Sequence, residues 1–409
     1  MAHKNSVVLV TVSGQDGPGI TAQLTGVLSQ GNVTILDIGQ AVIHNLLSLS
    51  ILFEINGTTS SSNPGDDKAA VKDLLFKATE LGLKLDFRVL NGEYNPEGHF
   101  STKAYRYAVT LIAKPISAQA LHEVTAILAK YKVNIDIIER LSEGEFSCVE
   151  MIVSSSEEPD RTALKKELLL IAKKQGVDIA LQAEGLFRRA KRMVVLDLDS
   201  TLIQAEVIDE LAKEKGIYKE VSNITKDAMA GKMSFDESLR LRCEKLKGLT
   251  KADIEKVYQR LELTPGAQDL VIVLKTLGYK IALISGGFSC IADRIKEKLG
   301  LHYAYSNVLE FDKEGLTTGK VLPPILNAQR KADLLDVIAQ QEYIHLDQVI
   351  AIGDGANDLL MLEKAGLGIA FNAKPVVRER ADLAISQKNL RSILYLLGIS
   401  GRDLAEILI

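Results

Sequence analysis

The order of apolar and polar positions divides the chain into a repeated N-terminal half and a longer C-terminal half. In the first repeat, apolar residues at helical spacing predict two helices, one beginning at Ile20 and one over 69–81. A polar loop is expected over 56–67, and His44 and Asn45 mark a hairpin. The predicted strands lie at 7–12, 33–42, 46–55 and 83–90. The resulting order of elements, βαββαβ, is that of the ferredoxin-like unit.

The same order of elements returns about 100 residues later, where VNIDII at 133–138 parallels VTILDI at 33–38. Residues 91–102 are rich in Gly, Asn and Pro, so we expect a linker between the two repeats. The second repeat has predicted strands at 108–113, 133–138, 146–153 and 177–181 and predicted helices at 118–131 and 159–174. The N-terminal half is therefore interpreted as a duplication of one small domain.

The C-terminal half alternates strands with helices, which predicts an α/β fold with a doubly wound, mainly parallel sheet. The predicted strands lie at 193–196, 279–285, 349–353, 367–371 and 383–385, and the helices at 267–277, 288–299, 331–339 and 389–397. A hairpin is expected over 306–321, with turns at Gly315 and Gly319. Four more helices are predicted after the first strand, at 207–213, 217–231, 234–247 and 251–261. They indicate a helical lid over the strand ends, or alternatively a purely structural bundle.

The stretch around residue 197 is the main candidate for a site. Residues 193–196 are apolar without alternation, as in a central strand that is covered on both faces, and Asp197 and Asp199 follow. Open α/β sheets bind ligands at the carboxyl ends of their strands. Two neighbouring carboxylates repel each other, and a hard divalent cation such as Mg²⁺ would hold both in the ionised form. The alternative is a strand end whose two solvated aspartates cap the next helix.

Composition narrows the class of protein. The 409 residues suffice for two to four domains, and 46% apolar with 25% charged residues is typical of globular proteins. A net charge of −4 gives no electrostatic reason to expect a nucleic acid as partner. Cys148, Cys243 and Cys290 are too few and too widely spaced for a disulfide framework or a zinc site. The first apolar run is too short for a signal peptide and no run reaches the ~20 residues of a membrane span, so we expect a cytoplasmic protein without a membrane partner.

Four motifs in the C-terminal half occur in the order found in one enzyme family. Residues 197–201 read DLDST, which is Asp-x-Asp-x-Thr after an apolar strand. Ser285 ends another apolar run, Lys331 opens a helical segment, and 353–358 read GDGAND. Residues 190–400 therefore resemble the haloacid dehalogenase-like phosphatases, which implies a phosphoric monoester hydrolase.

The resemblance extends into the predicted lid and implies a substrate. Glu206, Phe235 and Arg242 stand at the positions that match those members of the family that hydrolyse O-phospho-L-serine, the last step of serine biosynthesis. In such members Glu206 would meet the ammonium group of the substrate and Arg242 would bind its carboxylate. Phe235 and Met229 would wall the pocket.

The resemblance also implies a mechanism in two steps. Asp197 would attack phosphorus and become an aspartyl phosphate, while Asp199 would act first as general acid and then as general base. Mg²⁺ would be held by Asp197, the backbone carbonyl of Asp199 and Asp354, with Asp358 behind these ligands or among them. The phosphoryl oxygens would be bound by Ser285, the Gly286 amide, Lys331 and Asn357.

The duplicated half resembles a pair of ACT domains, which bind amino acids and regulate the enzymes to which they are fused. The loop from Asp16 to Gly19, which reads DGPG, matches the loop that such domains place beside an amino-acid ligand. This implies L-serine as a regulator at Asp16, Gly17 and Gly19, and a homodimer formed through the ACT domains. The second repeat reads AKPI at 113–116 and lacks these glycines, so the resemblance does not carry a ligand site there. The alternative is that both repeats serve only dimerisation.

The predicted domain limits are 1–92 and 93–186 for the two ACT domains and 187–409 for the hydrolase, with the lid at about 205–264.

Three other functions are open at this point. A dehalogenase of the same fold would need neither a metal nor a second aspartate, so Asp199 and Asp354 count against it. A non-enzymatic amino-acid sensor would not need filled catalytic positions. A phosphatase for another small phosphomonoester is the third.

Overall fold

The computed structural model describes residues 6–31, 33–55, 69–90, 105–143, 146–229 and 231–408, except for the side chain of Met229. The predicted loop at 56–67 and the predicted linker at 91–102 lie outside the described residues. The chain forms two compact units, Met1–Thr102 and Lys103–Ile409. None of the described helices is long and apolar enough to cross a membrane.

The first unit is an antiparallel four-stranded sheet under two helices, as predicted. Its strands are β1 (Ser6–Gln15), β2 (Val33–Ile43), β3 (Leu46–Ile55) and β4 (Lys84–Val89), in the order β2-β3-β1-β4, and its helices are α1 (Ile20–Ser29) and α2 (Ala69–Glu80). His44 and Asn45 adopt φ of 48° and 63°, which closes the predicted hairpin in a two-residue turn. The sheet face away from the helices is polar where Thr11 pairs with Ser50 and Ser13 with Ser48, and apolar where Leu9 pairs with Leu52.

The second repeat has the same fold and begins the second unit. Its strands are β5 (Tyr105–Ala113), β6 (Asn134–Glu143), β7 (Ser147–Ser155) and β8 (Asp178–Ala183), in the order β6-β7-β5-β8, with helices α3 (Ala118–Lys130) and α4 (Arg161–Gln175). Ser117 and Asp160 cap the two helices by accepting hydrogen bonds from backbone N–H groups three residues on. Gly176, with φ of 65°, ends α4 in the left-handed conformation.

The hydrolase part contains a seven-stranded sheet in which all neighbouring strands are parallel except one edge pair, so the predicted fold class is confirmed. After the short helix α5 (Leu186–Arg189), the strands are β9 (Met193–Leu196), β10 (Lys280–Phe288), β11 (Tyr303–Phe311), β12 (Thr317–Leu322), β13 (Val349–Gly353), β14 (Leu367–Phe371) and β15 (Leu383–Ile385). Their order is β12-β11-β10-β9-β13-β14-β15. Val194 and Leu196 pack into one core, and Met193 and Val195 into the core on the other face. Burial on both faces explains why β9 is apolar without alternation.

Four helices follow β9 and form the expected lid segment: α6 (Val207–Glu214), α7 (Tyr218–Met229), α8 (Phe235–Lys245) and α9 (Lys251–Arg260). The remaining helices are α10 (Ala267–Thr276), α11 (Ser289–Leu299), α12 (Ala328–Gln341), α13 (Leu359–Lys364), α14 (Pro375–Arg380), α15 (Ser392–Leu396) and α16 (Gly401–Ile407). The elements that carry the lid and the sheet were therefore predicted in the correct order.

Three local predictions were wrong. Gly319 lies inside β12 rather than at a turn, and a Cβ there would lie 3.1 Å from the Cα of Glu244 on α8, so the close approach of the lid explains this glycine. Lys331 does not open its helix, because α12 begins at Ala328 after the cap residue Asn327. The predicted closing helix at 389–397 is only the five-residue α15, and α16 follows it unpredicted.

The second repeat packs against the hydrolase through the sheet face that its own helices leave open. This face combines apolar residues with four buried polar ones, and its apolar residues belong to one continuous core with the hydrolase. The polar residues are Thr110, Glu150, Asp178 and Gln182. The second repeat contributes Ile112, Leu141, Phe146, Cys148 and Ala180 to that core. Ile112 and Ala180 line the same small cavity as Leu383, Ile385 and Leu396 of the hydrolase. The two repeats thus share a fold but differ in the chemistry of this face.

Candidate active site

The centre of the seven-stranded sheet brings the predicted acidic residues together. The chain passes from β9 to β10 and β11 on one side of β9, and later to β13, β14 and β15 on the other side. Such a reversal leaves a crevice at the carboxyl ends of the two adjacent strands, where α/β proteins bind ligands. Asp197 follows β9 and Asp354 follows β13, so both aspartates lie at this crevice.

A buried lysine links Asp197 to a second carboxylate. Lys331 Nζ donates to Asp197 Oδ1 and to Asp358 Oδ1, each at 2.7 Å. All three side chains are at most 3% exposed. Burial disfavours the ammonium form of Lys331, but the negative charges of Asp197 and Asp358 have the larger effect. The pKa of Lys331 is therefore raised. A cationic lysine therefore lies directly against Asp197.

A tight turn after β13 positions Asp358. The turn Ala356–Asp358 directs its carboxylate back to the strand, where Oδ2 accepts the N–H of Gly355 at 3.0 Å. A Cβ at Gly353 would lie 2.6 Å from Asp358 Cγ, so only glycine fits there. Asn357 is half-buried in the same turn, and its side-chain oxygen lies against Gly355. The glycines of GDGAND thus allow this turn to close.

Asp197, Asp354 and Asp358 form an acidic cluster in which one carboxylate oxygen of each residue lies within 4.8 Å of the others. Burial, and next the charge of Asp358, raises the pKa of Asp197 well above its ordinary range and the pKa of Asp354 to about 7. The negative charge of the cluster therefore exceeds what Lys331 neutralises. Three oxygen ligands at this spacing fit a hard divalent cation such as Mg²⁺.

Asp199 has hydrogen-bond partners of its own. Its Oδ1 accepts the N–H of Val207 at 2.8 Å and its Oδ2 accepts the hydroxyl of Ser285 at 3.4 Å. Burial, and next the charge of Glu206, raises the pKa of Asp199 to about 7. A carboxyl group with a pKa near 7 can donate a proton in one step and accept one in the next.

Ser285 lies in β10 and is fully buried. Its Oγ accepts the N–H of Gly287 at 2.8 Å. A Cβ at Gly287 would lie 2.8 Å from Asp199 Oδ2, so this glycine lets the strand pass close to the carboxylate. The phosphate-binding residues that the resemblance implied, Ser285, Gly286 and Lys331, thus all lie on elements around Asp197 and Asp199.

Asn307 is a residue of the site that sequence reasoning missed. It is 1% exposed, donates from Nδ2 to the carbonyl of Gly286 at 2.8 Å, and accepts the N–H of Leu326 at 2.7 Å. These two bonds fix the Gly286 peptide. A single Asn in a strand carries no signal of such a role, because the contact joins residues 21 positions apart.

Two residues of the lid helix α8 face the crevice side. The ring of Phe235 packs on Gly286, where a Cβ would lie 3.3 Å from Phe235 Cζ. Arg242 donates from Nε to the carbonyl of Ser238 at 3.3 Å and makes no ion pair with any described residue. Burial lowers its pKa. The Arg242 side chain is half-buried, and Glu206, Asp209 and Asp199 act on it electrostatically without an ion pair, so its N–H donors fit the carboxylate of a ligand.

Glu206 is exposed and lies just before the lid helix α6. Its Oε1 accepts the hydroxyl of Ser200 at 2.8 Å. Ser200 has φ of 55°, which is uncommon for a residue other than glycine, and its N–H donates to the carbonyl of Ala205 at 3.2 Å. The loop between Asp199 and Glu206 is therefore closed on itself, and sequence reasoning gave Ser200 no role. The side chain of Met229 lies outside the described residues.

The predicted regulatory residues lie in the first unit, on the loop between β1 and α1. Asp16 and Gly19 are exposed and Gly17 is half-exposed, and Gly19 has φ of 88° just before the helix begins. The N–H of Asp16 donates to the carbonyl of Asn45 at 2.8 Å. This bond places the loop beside the β2–β3 hairpin.

Comparison with protein families divides the chain in the same way. Residues 191–366 match the haloacid dehalogenase-like hydrolase family, and residues 6–88 and 106–182 match ACT domain families. The hydrolase match covers the seven-stranded sheet through β13 and the lid, and each ACT match covers one βαββαβ repeat. Both resemblances predicted from the sequence are confirmed.

Similar proteins bear one enzyme name. The phosphoserine phosphatase of Streptomyces coelicolor is 41% identical over 97% of this chain and 93% of its own length. That of Methanocaldococcus jannaschii is 46% identical over 50% of this chain and 97% of its own length. The crystal structure of a probable phosphoserine phosphatase from Vibrio cholerae, in unliganded form, is 33% identical, with a TM-score of 0.58, and covers 73% of this chain and 88% of that chain. The chain therefore belongs to the phosphoserine phosphatases, with a haloacid dehalogenase-like hydrolase domain that follows two ACT domains.

Proposed function

We propose that this enzyme hydrolyses O-phospho-L-serine through an aspartyl phosphate on Asp197, with Mg²⁺ bound at the acidic cluster. The observation that carries the proposal is the position of Asp197 at the crevice, 2.7 Å from the Lys331 ammonium and beside two further carboxylates. The reaction would be the last step of serine biosynthesis. The relatives named above as phosphoserine phosphatases support the substrate.

Asp197 and Asp199 would share the chemistry of two steps. In the first, Asp197 attacks phosphorus as the bond to the serine oxygen breaks, and Asp199 donates a proton to that oxygen. In the second, Asp199 takes a proton from a water molecule that attacks phosphorus, which frees the Asp197 carboxylate and inorganic phosphate. The pKa of about 7 at Asp199 supports both of its roles.

Asp197, the backbone carbonyl of Asp199 and Asp354 would hold Mg²⁺, and Asp358 would complete the set or support it through Lys331. When bound, Mg²⁺ supplies positive charge that reduces the repulsion between the nucleophile and the phosphate group. The 4.8 Å spacing of the carboxylate oxygens supports this site. Thr201, whose Oγ1 lies 3.4 Å from Asp354 Oδ1, would orient that ligand.

The remaining site residues would bind the two ends of the substrate. Ser285, the Gly286 N–H, Lys331 and Asn357 would bind phosphoryl oxygens. Glu206 would bind the ammonium group, and Arg242 the carboxylate, with Phe235 and Met229 as the wall of the pocket. The half-buried guanidinium of Arg242 supports this division, because it forms no ion pair with a carboxylate of the described residues.

A phosphate-release screen over phosphoserine, phosphothreonine and sugar phosphates, with and without Mg²⁺, tests the proposal. We expect the highest kcat/KM with phosphoserine, only in the presence of Mg²⁺. Asp197→Asn should abolish turnover because an amide cannot form the acyl phosphate, while the exposed Asp333→Asn on α12 should leave it unchanged. Near-parent phosphate release by Asp197→Asn would contradict the nucleophile. A higher kcat/KM for a sugar phosphate would favour the alternative of another small phosphomonoester.

We also propose that L-serine regulates the enzyme through the first ACT domain, and that the ACT domains form a homodimer. The backbone N–H groups at the start of α1 would receive the serine carboxylate, and Asp16 its ammonium group. The exposed loop beside the hairpin supports such a site. Regulation requires serine to bind two states of the dimer unequally.

We propose domain limits of 1–92 and 93–186 for the two ACT domains and of 187–409 for the hydrolase, with the lid at about 205–264.

Serine inhibition of full-length variants tests the regulatory site. Asp16→Ala should raise the inhibition constant about tenfold or more while the uninhibited kcat/KM stays at the parent value. Asp86→Ala, an exposed residue of the same unit, is the control and should leave both unchanged. Strictly competitive inhibition that is equal in all three proteins would mean product inhibition at Glu206 and Arg242. The repeats would then serve only to form the dimer. Light scattering, which measures molar mass in solution, tests whether the protein is a dimer.

A further inference from the structure

A carboxylate of the second repeat binds the backbone of the hydrolase. Asp178, at the start of β8, is 5% exposed. The N–H of Ser386 lies 2.9 Å from both of its carboxylate oxygens, and the N–H of Gln387 donates to Oδ2 at 3.2 Å. Burial raises the pKa of Asp178, and these backbone hydrogen bonds oppose the rise. The turn after β15 is therefore held by a residue about 200 positions earlier in the chain.

The same turn contacts the loop after β14. The carbonyl of Ile385 accepts the N–H of Asn372 at 2.8 Å, and Ser386 Oγ accepts a hydrogen bond from Arg378 on α14 at 2.8 Å. Asn372 has φ of 48°, in the left-handed region that asparagine adopts more readily than most residues other than glycine. Two hydrogen-bonded steps thus lead from Asp178 to the loop 372–374.

That loop ends beside the acidic cluster. Lys374 is the cap residue of α14 and follows Asn372 by two positions. The loop follows β14, the parallel neighbour of β13, and Gly353 of β13 pairs with Ala370 of β14, so Asp354 and the loop 372–374 leave adjacent strands at the same edge of the sheet. A displacement of the loop would therefore change the electrostatic surroundings of Asp354.

We propose that Asp178 is a positioning residue of the hydrolase: by binding the Ser386 and Gln387 N–H groups, it holds the loop 372–374 in its place beside Asp354 at the edge of the sheet. The second repeat is then a structural part of the catalytic unit. The buried ion pairs of Arg188 with Glu150 and Glu184 join the two parts at a further place.

The test uses the full chain, because removal of the second repeat would expose the apolar residues of β15 and α15 that it covers. Asp178→Ala removes both acceptors. Asp178→Asn keeps the side-chain volume but presents an amide NH₂ to a backbone donor. Two matched controls lie in the same repeat: Asp160→Ala removes the cap of α4, and Gln182→Ala removes a different bond to the hydrolase, that to the Leu396 carbonyl.

We expect both Asp178 variants to lower kcat about two- to thirtyfold, with KM for phosphoserine within about twofold of the parent. We expect kcat to fall without a change in KM because, in the proposed function, Asp354 acts on the phosphoryl step and does not bind the serine moiety. Amide hydrogen exchange should accelerate at Asn372 and Ser386 in these variants, and this readout does not depend on the role of Asp354. Both controls should keep the parent kcat and the parent exchange at these two amides.

The outcome that overturns the proposal is a loss of thermal stability alone. If the Asp178 variants unfold at lower temperature but match the controls in kcat and in exchange over 372–387, Asp178 is only one more interface contact. If Asp178→Ala does not fold, the isosteric Asp178→Asn decides, since parent kcat and parent exchange in that variant also contradict the proposal. If kcat falls while amide hydrogen exchange at Asn372 and Ser386 stays at the parent rate, Asp178 does not act through this loop, and the proposal is wrong.

Discussion

The ammonium of Lys331 lies 2.7 Å from the carboxylate of Asp197, across 134 positions of the sequence and in a site where both side chains are almost fully buried. The same ammonium binds Asp358. Lys331 therefore compensates the buried carboxylates, and in the proposed mechanism it also lies where a phosphoryl group would approach Asp197.

Lys331→Ala should lose both activity and stability. Removal of a preorganised donor at the reacting group should lower kcat about 10²- to 10³-fold. Removal of one partner from a buried ion cluster should destabilise the fold by about 3–5 kcal/mol, because the two carboxylates remain unpaired. Steady-state kinetics and denaturant unfolding measure the two effects. Lys256→Ala, an exposed lysine paired only at the surface, is the control, and equal behaviour of the two variants would refute the role of Lys331.

Arg242→Ala should change substrate selectivity. Loss of a charge-assisted contact should lower kcat/KM for phosphoserine by ~1.5–3 kcal/mol, about ten- to a hundredfold. The kcat/KM for an aryl phosphate without a carboxylate should change much less. Arg240→Ala, an exposed arginine on the same helix, should affect neither substrate. An equal fall for both substrates would make Arg242 a structural residue.

Removal of the metal should lower stability as well as activity. EDTA should abolish turnover reversibly, and saturating Mg²⁺ should raise the free energy of unfolding by about 2.7 kcal/mol at a concentration of 100 Kd. The reason is that the cation binds the native site and not the unfolded chain, and that its charge opposes the burial and the Asp358 charge that raise the pKa of Asp197 and Asp354. Asp354→Asn removes a ligand and should abolish the Mg²⁺-dependent rise, while Asp333→Asn should keep it. Thermal or denaturant unfolding with and without Mg²⁺ gives the result, and an unchanged midpoint in the parent would argue against the site.

Lys191 should make stability rise with pH above neutrality. Its Nζ donates to the carbonyl of Asp347 at 2.6 Å, and burial lowers the pKa of Lys191 from 10.5 to about 8. Between pH 8 and 10.5 the unfolded chain therefore binds more protons at this residue than the native protein. The stabilising contribution of Lys191 is complete above pH 10.5, which is its pKa in the unfolded chain. It is lost as the pH falls through about 8, which is its pKa in the native protein.

A comparison of the parent with Lys191→Met at pH 7 and pH 10 isolates this residue. The free energy of unfolding of the parent should increase relative to that of the variant between the two pH values. Lys256→Met, at an exposed position, should show no such pH-dependent difference. A difference between the parent and Lys191→Met that stays constant with pH would show that Lys191 is not titrating in this window.

The sequence by itself determined the secondary structure and the order of the domains. The strands predicted at 193–196, 349–353, 367–371 and 383–385 have the same limits in the structure. Their signal is local, because a strand buried on both faces requires a continuous apolar run. The three aspartates of the cluster were also named from the sequence, together with the residues proposed to bind phosphate, because they occur in motifs that resemble a known family.

Only the tertiary structure decided how these residues meet. Three contacts join residues that no local sequence pattern relates. They are Lys331 with Asp197, Asn307 with Gly286, and Gly319 with the lid helix. The limits of α12 and α15 also depended on capping and packing rather than on apolar spacing. Side-chain periodicity records which face of an element is buried, but not which element covers it.

The difference between the two repeats shows the same limit at the level of domains. Both follow one pattern of strands and helices, so the sequence predicted one fold for both. In the second repeat, apolar residues of the open sheet face pack into the core of the hydrolase, and Asp178 on the same face binds its backbone. Strands that are apolar on both faces are visible in the sequence, but the surface that covers them is chosen by shape and by hydrogen bonds between residues about 200 positions apart, which only the folded chain brings together.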